Sequence, residues 1–258
     1  MIVVSDSAVS KEFKRFLQNL ELDERLGSIF LDEAHVYVDD IHWRFKLEEI
    51  KLLALSVVMI FLTATFPPSM ERRFEEVLLL RNPKPTYICA IVTRPQIAYS
   101  MEVVSRGCDL ADTAINFVLS EQIKLKGNEK ILIFASSIDM IKAIQKILGC
   151  AIYHVKLPAK EAQLERWRKG EISVMIASTA LGEWMDIEEI MPVIHVGKPY
   201  RCNSFTQGSG RARRKGEQVR SVTFIKENDF HAMKSMNRNV VSDDEVALND
   251  YMTMDGCR

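Results

Sequence analysis

Two acidic residues, Asp32 and Glu33, follow a short apolar run near the start of the sequence. The run, Ser28–Leu31, is predicted to be a buried β-strand, which places both carboxylates at its carboxyl end. An aspartate in that position can hold Mg²⁺ through water, and the neighbouring glutamate can take a proton from an attacking water molecule. The alternative is an acidic loop after a strand, since Asp-Glu pairs are common.

Far downstream, the sequence QGSGRARR places Gln207, Arg211 and Arg214 on a predicted helix that follows the loop KPYRCNS. Arginines three residues apart share one helix face. Aimed at a γ-phosphate, such an arginine accelerates phosphoryl transfer by roughly 10³–10⁵. A solvated basic helix end is the alternative, because further basic residues lie nearby: Arg213, Lys215 and Arg220.

Small hydroxyl residues, Thr63 and Thr65, follow the predicted strand Val57–Leu62. Hydroxyls at a strand end can hydrogen-bond neighbouring carboxylates and loops, which would couple the acidic pair to a second surface. The alternative is a strand-to-helix turn in which Thr65 or Ser69 caps the following helix. Both interpretations can hold together.

Three other side chains are candidates for contact with nucleic acid. Trp43 could stack on a base and Arg44 could touch a phosphate, although core packing of Trp43 is an equal alternative. His154 could contact a phosphodiester, but a lone histidine is more often structural. Trp167 is predicted to cover the core.

Composition restricts the class of protein. The chain has 258 residues, is 47% hydrophobic and carries a net charge of −1, so any basic surface must be local. Its five scattered cysteines form no CxxC pair, which favours a reducing intracellular compartment over a disulfide framework or a zinc site. The start lacks a signal-peptide pattern, and the longest apolar run is too short to cross a bilayer, so we expect no membrane partner.

Short β-branched runs alternate with amphipathic stretches, which predicts an α/β protein with buried parallel sheets. The predicted strands are Ile2–Val4, Ser28–Leu31, Val57–Leu62, Lys130–Phe134, Val174–Ala177, Val193–Val196 and Val219–Phe224. A proline-rich stretch near residues 82–100 is typical of a linker. We therefore predict one lobe over residues 1–95, a second over 96–236, and an acidic, disordered tail over 237–258.

Taken in order, these segments resemble the motifs of superfamily 2 helicases, and among them the RecQ-like DNA helicases, especially fungal ones. IFLDEAH resembles motif II, FLTATFPPSMER motif III, ILIFASS motif IV, STALGEWMDIEE motif V and SFTQGSGRARRKG motif VI. The likeness covers about residues 1–225. It implies two RecA-like lobes, of which the first is incomplete and holds motifs Ib to III, with nucleotide between the lobes and single-stranded DNA across their top.

The resemblance also implies roles for individual residues. Asp32 would hold Mg²⁺ through water and Glu33 would be the general base. ATP would be contacted by five residues: Gly182, Asp186, Gln207, Arg211 and Arg214. Nucleic acid would be contacted by five others: Trp43, Arg44, Thr63, Thr65 and His154. The implied partner is single-stranded or junction DNA in the nucleus, in repair and recombination, with ATP as the only small-molecule substrate.

The sequence departs from the family pattern at several positions. Trp184 stands where motif V usually has glycine, and Val155 and Lys156 replace small residues after His154. No GxxxxGK[ST] phosphate loop occurs in the 258 residues, so the sequence looks like a truncated or decaying copy. Two functions stay open: a 3′–5′ ATP-dependent DNA helicase, of which this chain is a fragment inactive on its own, and a catalytically dead nucleic-acid-binding or protein-interaction remnant.

Overall fold

A computed structural model shows a chain that divides into two compact units, unit 1 (Met1–Val92) and unit 2 (Thr93–Arg258). Each unit is described by itself. The structure describes residues 8, 10–36, 57–80, 84–90, 94–181, 187, 189–212, 218–236 and 243–254. The predicted strand Ile2–Val4 lies outside them.

Within the described residues, unit 1 contains a two-stranded parallel sheet flanked by helices. Its elements are α1 (Lys11–Leu22), β1 (Ser28–Leu31), β2 (Val58–Phe61), a 3₁₀ turn (Pro68–Met70) and α2 (Glu71–Leu78). Ser28 pairs with Val58 and Leu31 with Phe61. The buried core residue Phe74 meets the rings of Phe61 and Phe66 edge-on, with centroids 5.2 Å and 5.1 Å away.

The predicted helix caps at Thr65 and Ser69 are wrong. The helix α2 has Met70 at its N-cap position, and the preceding 3₁₀ turn has Pro67 there. Neither of these two side chains makes a capping hydrogen bond. The Thr65 hydroxyl instead lies 3.4 Å from His35 Nδ1. The Thr65 hydroxyl therefore contacts His35, which follows the neighbouring strand β1, and not the first turn of a helix.

Unit 2 is built on a six-stranded sheet in the order β3-β8-β7-β4-β6-β5, with every pair parallel. Its elements in chain order are β3 (Ile97–Val104), α3 (Leu110–Gln122), β4 (Lys130–Ala135), α4 (Ile138–Leu148), β5 (Ala151–Tyr153), α5 (Lys160–Arg168), β6 (Val174–Ala177), β7 (Ile190–Val196), α6 (Cys202–Ser209), β8 (Val219–Lys226), α7 (Glu227–Lys234) and α8 (Asp243–Thr253). The predicted α/β class with parallel sheets is confirmed.

Residue type explains most of these elements. Strands β4 and β6 are buried along their whole length, as apolar strands with helices on both faces must be. Helix α4 begins where the Ser137 hydroxyl accepts a hydrogen bond from Met140 N (3.1 Å) and ends at Gly149, in the left-handed region (φ +60°). Trp167 is fully buried, as predicted.

The predicted disorder of the acidic tail is wrong for residues 243–254. Helix α8 buries Leu248 and Met252 against Phe205 and other apolar residues of unit 2. In its first turn, Asp244 accepts a hydrogen bond from Cys202 N (3.0 Å). No helix within the described residues is both long and apolar enough to cross a bilayer.

Candidate functional site

The acidic pair of unit 1 lies beside the hydroxyl pair, because β1 and β2 are parallel and end together. We call Asp32, Glu33, His35, Thr63 and Thr65 the strand-end cluster. The exposed Asp32 carboxylate is oriented by the backbone, since its Oδ1 accepts a hydrogen bond from Glu33 N at 2.9 Å. The cluster therefore has one carboxylate oxygen at the strand end whose position is fixed by the backbone.

Glu33 has an unusual backbone conformation. Its φ of +51° lies in the left-handed region, which residues other than glycine seldom adopt. Backbone bonds hold the chain on both sides: Leu62 N donates to Leu31 O (2.9 Å) and Ala34 N to Leu62 O (2.8 Å). The Glu33 side-chain oxygen Oε2 is buried and makes no hydrogen bond within the described residues. Residues with such backbone strain cluster at functional sites.

His35 is the centre of the strand-end cluster and was missed as a candidate, although it is part of the DEAH sequence. It is buried, and its Nδ1 lies 3.0 Å from Thr63 Oγ1 and 3.4 Å from Thr65 Oγ1. The same nitrogen lies 3.3 Å from Glu33 Oε2. The threonine contact has hydrogen-bond geometry, whereas the glutamate contact is a close approach of charge-bearing groups. His35 thus joins the acidic pair to the hydroxyl pair.

The hydroxyls of Thr63 and Thr65 point into unit 1. Thr63 Oγ1 accepts a hydrogen bond from Thr65 N (3.2 Å) in addition to its contact with His35. The interpretation that these threonines couple the acidic pair to a second surface stays a prediction. Their assignment as residues that bind nucleic acid stays a prediction.

In unit 2, a cleft of about 130 Å³ opens at the carboxyl ends of β4, β6 and β7. We call it the unit 2 cleft. Besides Tyr200 and Ser204, the cleft is lined by four hydroxyl side chains that follow strands, two after β4 and two after β6: Ser136, Ser137, Ser178 and Thr179. Ligands of parallel α/β sheets bind at this end of the strands. The sequence prediction did not include these hydroxyls, although ILIFASS and IASTA place them directly after predicted strands.

The floor of the unit 2 cleft is aromatic and uncharged. The buried His195 ring stacks on Phe134 (5.4 Å between centroids, 19° between planes) and packs against Phe205 (4.7 Å). Its Nε2 lies 3.0 Å from Ser209 Oγ, which lies 2.9 Å from Ser221 Oγ. Burial lowers the pKa of His195 to about 3, so the ring is neutral at pH 7.

One wall of the unit 2 cleft is the segment that joins β7 to α6. It begins at Gly197 (φ +91°), where a Cβ would overlap the Ser136 hydroxyl, so only glycine lets the two loops pass this closely. Lys198 is the only cation among the described residues that line the cleft, and its Nζ is 2.9 Å from Glu245 Oε1. Tyr200 stands on the rim with 81% of its surface exposed.

The predicted helix that was to carry both arginines ends early. Helix α6 includes Gln207 but stops at Ser209, and Arg211 lies in the turn that follows. The guanidinium of Arg94 donates to Gly210 O and to Ala212 O (2.9 Å to the latter), which holds the chain in this turn. The predicted single helix through Arg211 and Arg214 is therefore wrong for Arg211.

The remaining candidate residues are placed as follows. His154 follows β5 and is buried, and its Nδ1 makes no hydrogen bond within the described residues. The end of β5 is tied to the unit 2 cleft, because Ser178 N donates to Tyr153 O (3.0 Å). Five candidates lie outside the described residues: Trp43, Arg44, Gly182, Asp186 and Arg214. Their roles stay predictions.

Arg220, one of the neighbouring basic residues, is committed to an ion pair. It donates to the largely buried carboxylate of Glu121, which also accepts a hydrogen bond from Lys124 at 2.6 Å. Burial by itself would raise the pKa of Glu121, but the hydrogen bonds and charges of Arg220 and Lys124 outweigh it and lower that pKa. Arg220 therefore anchors β8 to α3.

The strand-end cluster has the chemistry that Mg²⁺ requires but few protein ligands for it. Within the described ranges, no group of three His, Cys, Asp or Glu side chains could enclose a metal ion. Asp32 offers an oriented carboxylate oxygen, which suits a hard cation that keeps most of its water. The residues therefore fit Mg²⁺ held by one carboxylate through water, and the remaining ligands would come from phosphate.

Comparison with known proteins relates unit 2 to helicases. Residues 113–216, in the middle of unit 2, match the family model of the helicase conserved C-terminal domain. This part of the chain is therefore similar to the C-terminal domain of helicases.

Its relatives include both DNA and RNA helicases. The chain is 27% identical over 251 residues to the ATP-dependent DNA helicase Q-like 2 of Arabidopsis thaliana, covering 92% of this chain and 35% of that protein. It is 29% identical over 126 residues to the DEAD-box ATP-dependent RNA helicase 1 of the same plant, covering 45% of this chain and 24% of that protein. The chain therefore spans about a third of the first relative and a quarter of the second.

Solved structures agree on the fold. The DEAD-box helicase Mss116 bound to single-stranded RNA and UDP-BeF matches with a TM-score of 0.66 at 17% identity, over 96% of this chain and 54% of that one. The chain therefore has the α/β fold of such helicases. The predicted likeness to superfamily 2 helicases is confirmed in part, by the family-model match and by these relatives, whereas the RecQ-like type stays a prediction.

Proposed function

We propose that the chain forms part of an ATP-dependent DNA helicase of RecQ-like type that moves 3′ to 5′. The observation that carries the proposal is the strand-end cluster, in which the Glu33 carboxylate and the hydroxyls of Thr63 and Thr65 meet at the buried His35. Through His35, the Glu33 carboxylate, which is suited to phosphate chemistry, is connected to Thr63 in the segment that follows β2. A change in the charge near Glu33 could therefore shift that segment. A protein that couples hydrolysis to movement on a strand needs such a link.

The groups of the strand-end cluster divide the work of hydrolysis. Asp32 would hold Mg²⁺ through water, and the ion would neutralise charge on the phosphates. Glu33 would accept the proton of the attacking water, since its buried Oε2 makes no hydrogen bond within the described residues. His35, 3.3 Å from that oxygen, would stabilise the charged carboxylate. Because its ring also contacts Thr63, a change in the charge of Glu33 would alter the hydrogen bond to Thr63.

The unit 2 cleft is the proposed contact for a phosphodiester backbone. Hydroxyls of Ser136, Ser178 and Thr179 can donate to phosphate oxygens, as serine and threonine commonly do at nucleic-acid interfaces. The neutral floor under His195 neither repels nor attracts the phosphate. We expect binding to be modest and independent of sequence, because Lys198 is already paired with Glu245.

The groups proposed to contact the γ-phosphate are Gln207, Arg211 and Arg214, and Gly182 and Asp186 are proposed to contact the nucleotide from motif V. DNA is proposed over RNA because the sequence has Thr-Ala-Thr at motif III and glutamine at the start of motif VI, where DEAD-type RNA helicases have Ser-Ala-Thr and histidine. Nuclear repair or recombination of single-stranded or junction DNA is the setting that this assignment implies.

A second candidate function is a nucleic-acid-binding or protein-interaction remnant without catalysis. It is favoured by two features of the 258 residues, the lack of a GxxxxGK[ST] sequence and the indole of Trp184 in motif V. Under either function, we expect this polypeptide by itself to release no phosphate from ATP. Phosphate release that DNA stimulates and that Glu33→Gln abolishes would show that the chain is an active ATPase.

Binding to the unit 2 cleft is tested with fluorescently labelled single-stranded DNA and RNA of one sequence, by anisotropy at low and physiological salt. We expect measurable binding at low salt that weakens only moderately as salt rises, because the one cation among the described residues lining the cleft is paired with Glu245. The double variant Ser178→Ala/Thr179→Ala should bind several-fold more weakly. Ser120→Ala, an exposed hydroxyl on α3, is the matched control. Undetectable binding at low salt, or equal affinity of the cleft and control variants, would refute the proposal. Tighter binding of RNA would overturn the DNA assignment.

A further inference from the structure

Tyr200 is an exposed aromatic residue on the rim of the unit 2 cleft. Tyrosine is usually at least half-buried, yet 81% of this side chain is open to solvent. Among the described residues, its ring stacks on no other ring. An apolar ring face of this size, left uncovered beside a polar cleft, is available to a planar ligand.

The backbone holds this ring in a fixed place. The segment leaves β7 at Gly197, whose N–H donates to Phe224 O (2.9 Å). It enters α6 at Cys202, whose N–H donates to the Asp244 carboxylate at 3.0 Å. Between these anchors, Pro199 restricts the chain directly before Tyr200. The side chain is thus exposed while its backbone is fixed. Binding of a ligand would therefore cost little conformational entropy in this segment.

The surroundings of Tyr200 suit one kind of ligand. The hydroxyls of Ser178 and Thr179 line the cleft beside it and can receive a phosphate, while the ring can receive the flat face of a base. Alternating phosphates and bases are what a nucleic-acid strand presents. A base in a duplex has both faces covered by its neighbours, so only an unstacked base can lie on the ring.

We propose that Tyr200 is a stacking platform for an unpaired base of a strand whose phosphates lie in the unit 2 cleft. The inference rests on the proposed function of the cleft and adds the side chain that holds a base there. Stacking tolerates any base, because every base has a π-face. Tyr200 therefore sets affinity for single strands without sequence preference, and phosphate contacts supply the dependence on salt.

The test uses the full chain with a labelled thymidine oligomer of about 16 nucleotides and a duplex of the same length. Tyr200→Ala should weaken binding of the single strand roughly tenfold, leave duplex binding unchanged and leave the salt slope unchanged. Tyr200→Phe should bind as the unaltered chain does, because it keeps the ring. Ile123→Ala, which removes another exposed apolar side chain of unit 2, is the matched control and should have no effect.

Photocrosslinking shows directly whether a base lies against Tyr200. Irradiation of an iodouracil-containing oligomer bound to the unaltered chain should crosslink the peptide that contains Tyr200, and an excess of unlabelled single strand should prevent it. This readout needs no variant, so it decides the matter even if Tyr200→Ala fails to fold.

The outcomes separate the two proposals. If the unaltered chain binds no oligomer at low salt, the proposed function of the cleft fails. If it binds and Tyr200→Ala binds equally well, or if the crosslink falls elsewhere, only the stacking inference fails. An equal loss for duplex, or a Tyr200→Phe variant as weak as Tyr200→Ala, overturns the inference as well, because the contact would then be to backbone or through the hydroxyl.

Discussion

Acidification should destabilise unit 2 through His195. In the folded chain this buried ring has its pKa lowered to about 3, whereas an unfolded chain has a histidine pKa of about 6.5. Between these values the unfolded state binds more protons than the folded state, so the free energy of unfolding rises with pH through this window. The stability that the neutral ring contributes is complete above pH 6.5 and is lost as the pH falls toward 3.

The size of the effect follows from the two pKa values. Moving from pH 7 to about pH 4.5 leaves the folded ring neutral but protonates it in the unfolded chain, which lowers the free energy of unfolding by about 2 to 3 kcal/mol. Glu121, whose pKa is lowered, adds a loss of the same sign at lower pH, because its carboxylate is favoured in the folded state. A comparison with a variant is therefore required.

His195→Gln is the informative variant, because its neutral amide can still hydrogen-bond Ser209 but does not titrate. Urea unfolding can be followed by tryptophan fluorescence in a Trp43→Phe background, because the two remaining tryptophans, Trp167 and Trp184, both belong to unit 2. We expect His195→Gln to be the less stable protein at pH 7 and to lose about 2 kcal/mol less on acidification. Parallel pH dependence of the two proteins would show that His195 is not buried as a neutral group.

Three further perturbations test other contacts. Gly197→Ala should lower the free energy of unfolding by roughly 2 kcal/mol, because alanine would adopt a left-handed φ and its Cβ would overlap Ser136. Thermal denaturation measures the effect, and an unchanged melting temperature would contradict it. Glu245→Gln removes the partner of the Lys198 ammonium group, so binding of single-stranded DNA should tighten a few-fold at low salt and its affinity should fall more steeply as salt rises. Weaker or unchanged binding would count against this prediction. Glu121→Gln should cost about 1 to 3 kcal/mol of unfolding free energy in urea at pH 7, where a cost below 0.5 kcal/mol would mean the ion pairs contribute little.

The sequence predicts the elements whose pattern is local. Strand β4 and strand β6 are short apolar runs between turn signals, and parallel pairing follows from the helices between them. Strand β3 was missed because it alternates in exposure and lies at the sheet edge, and strand β5 because it has only three residues. The neighbouring positions of the acidic pair and Thr63 follow from two parallel strands that end together.

Contacts made across the fold were not predictable from spacing. The end of α6 depends on Arg94, which lies more than a hundred residues earlier and holds Gly210 O. The buried chain from His195 through Ser209 to Ser221 joins three elements that carry no shared sequence signal. The acidic residues after position 242 suggested disorder, because their charge hid the apolar face that α8 presents to unit 2.

The docking of α8 determines where unit 2 can be cut for expression. A recombinant fragment that stops at residue 236 keeps every strand of the six-stranded sheet but removes the helix that covers Phe205 and Tyr99. The exposed aromatic patch would favour self-association of the fragment, and the first N–H groups of α6 would lose the Asp244 carboxylate. Designs for expression, crystallisation or domain exchange should therefore retain the chain through residue 254.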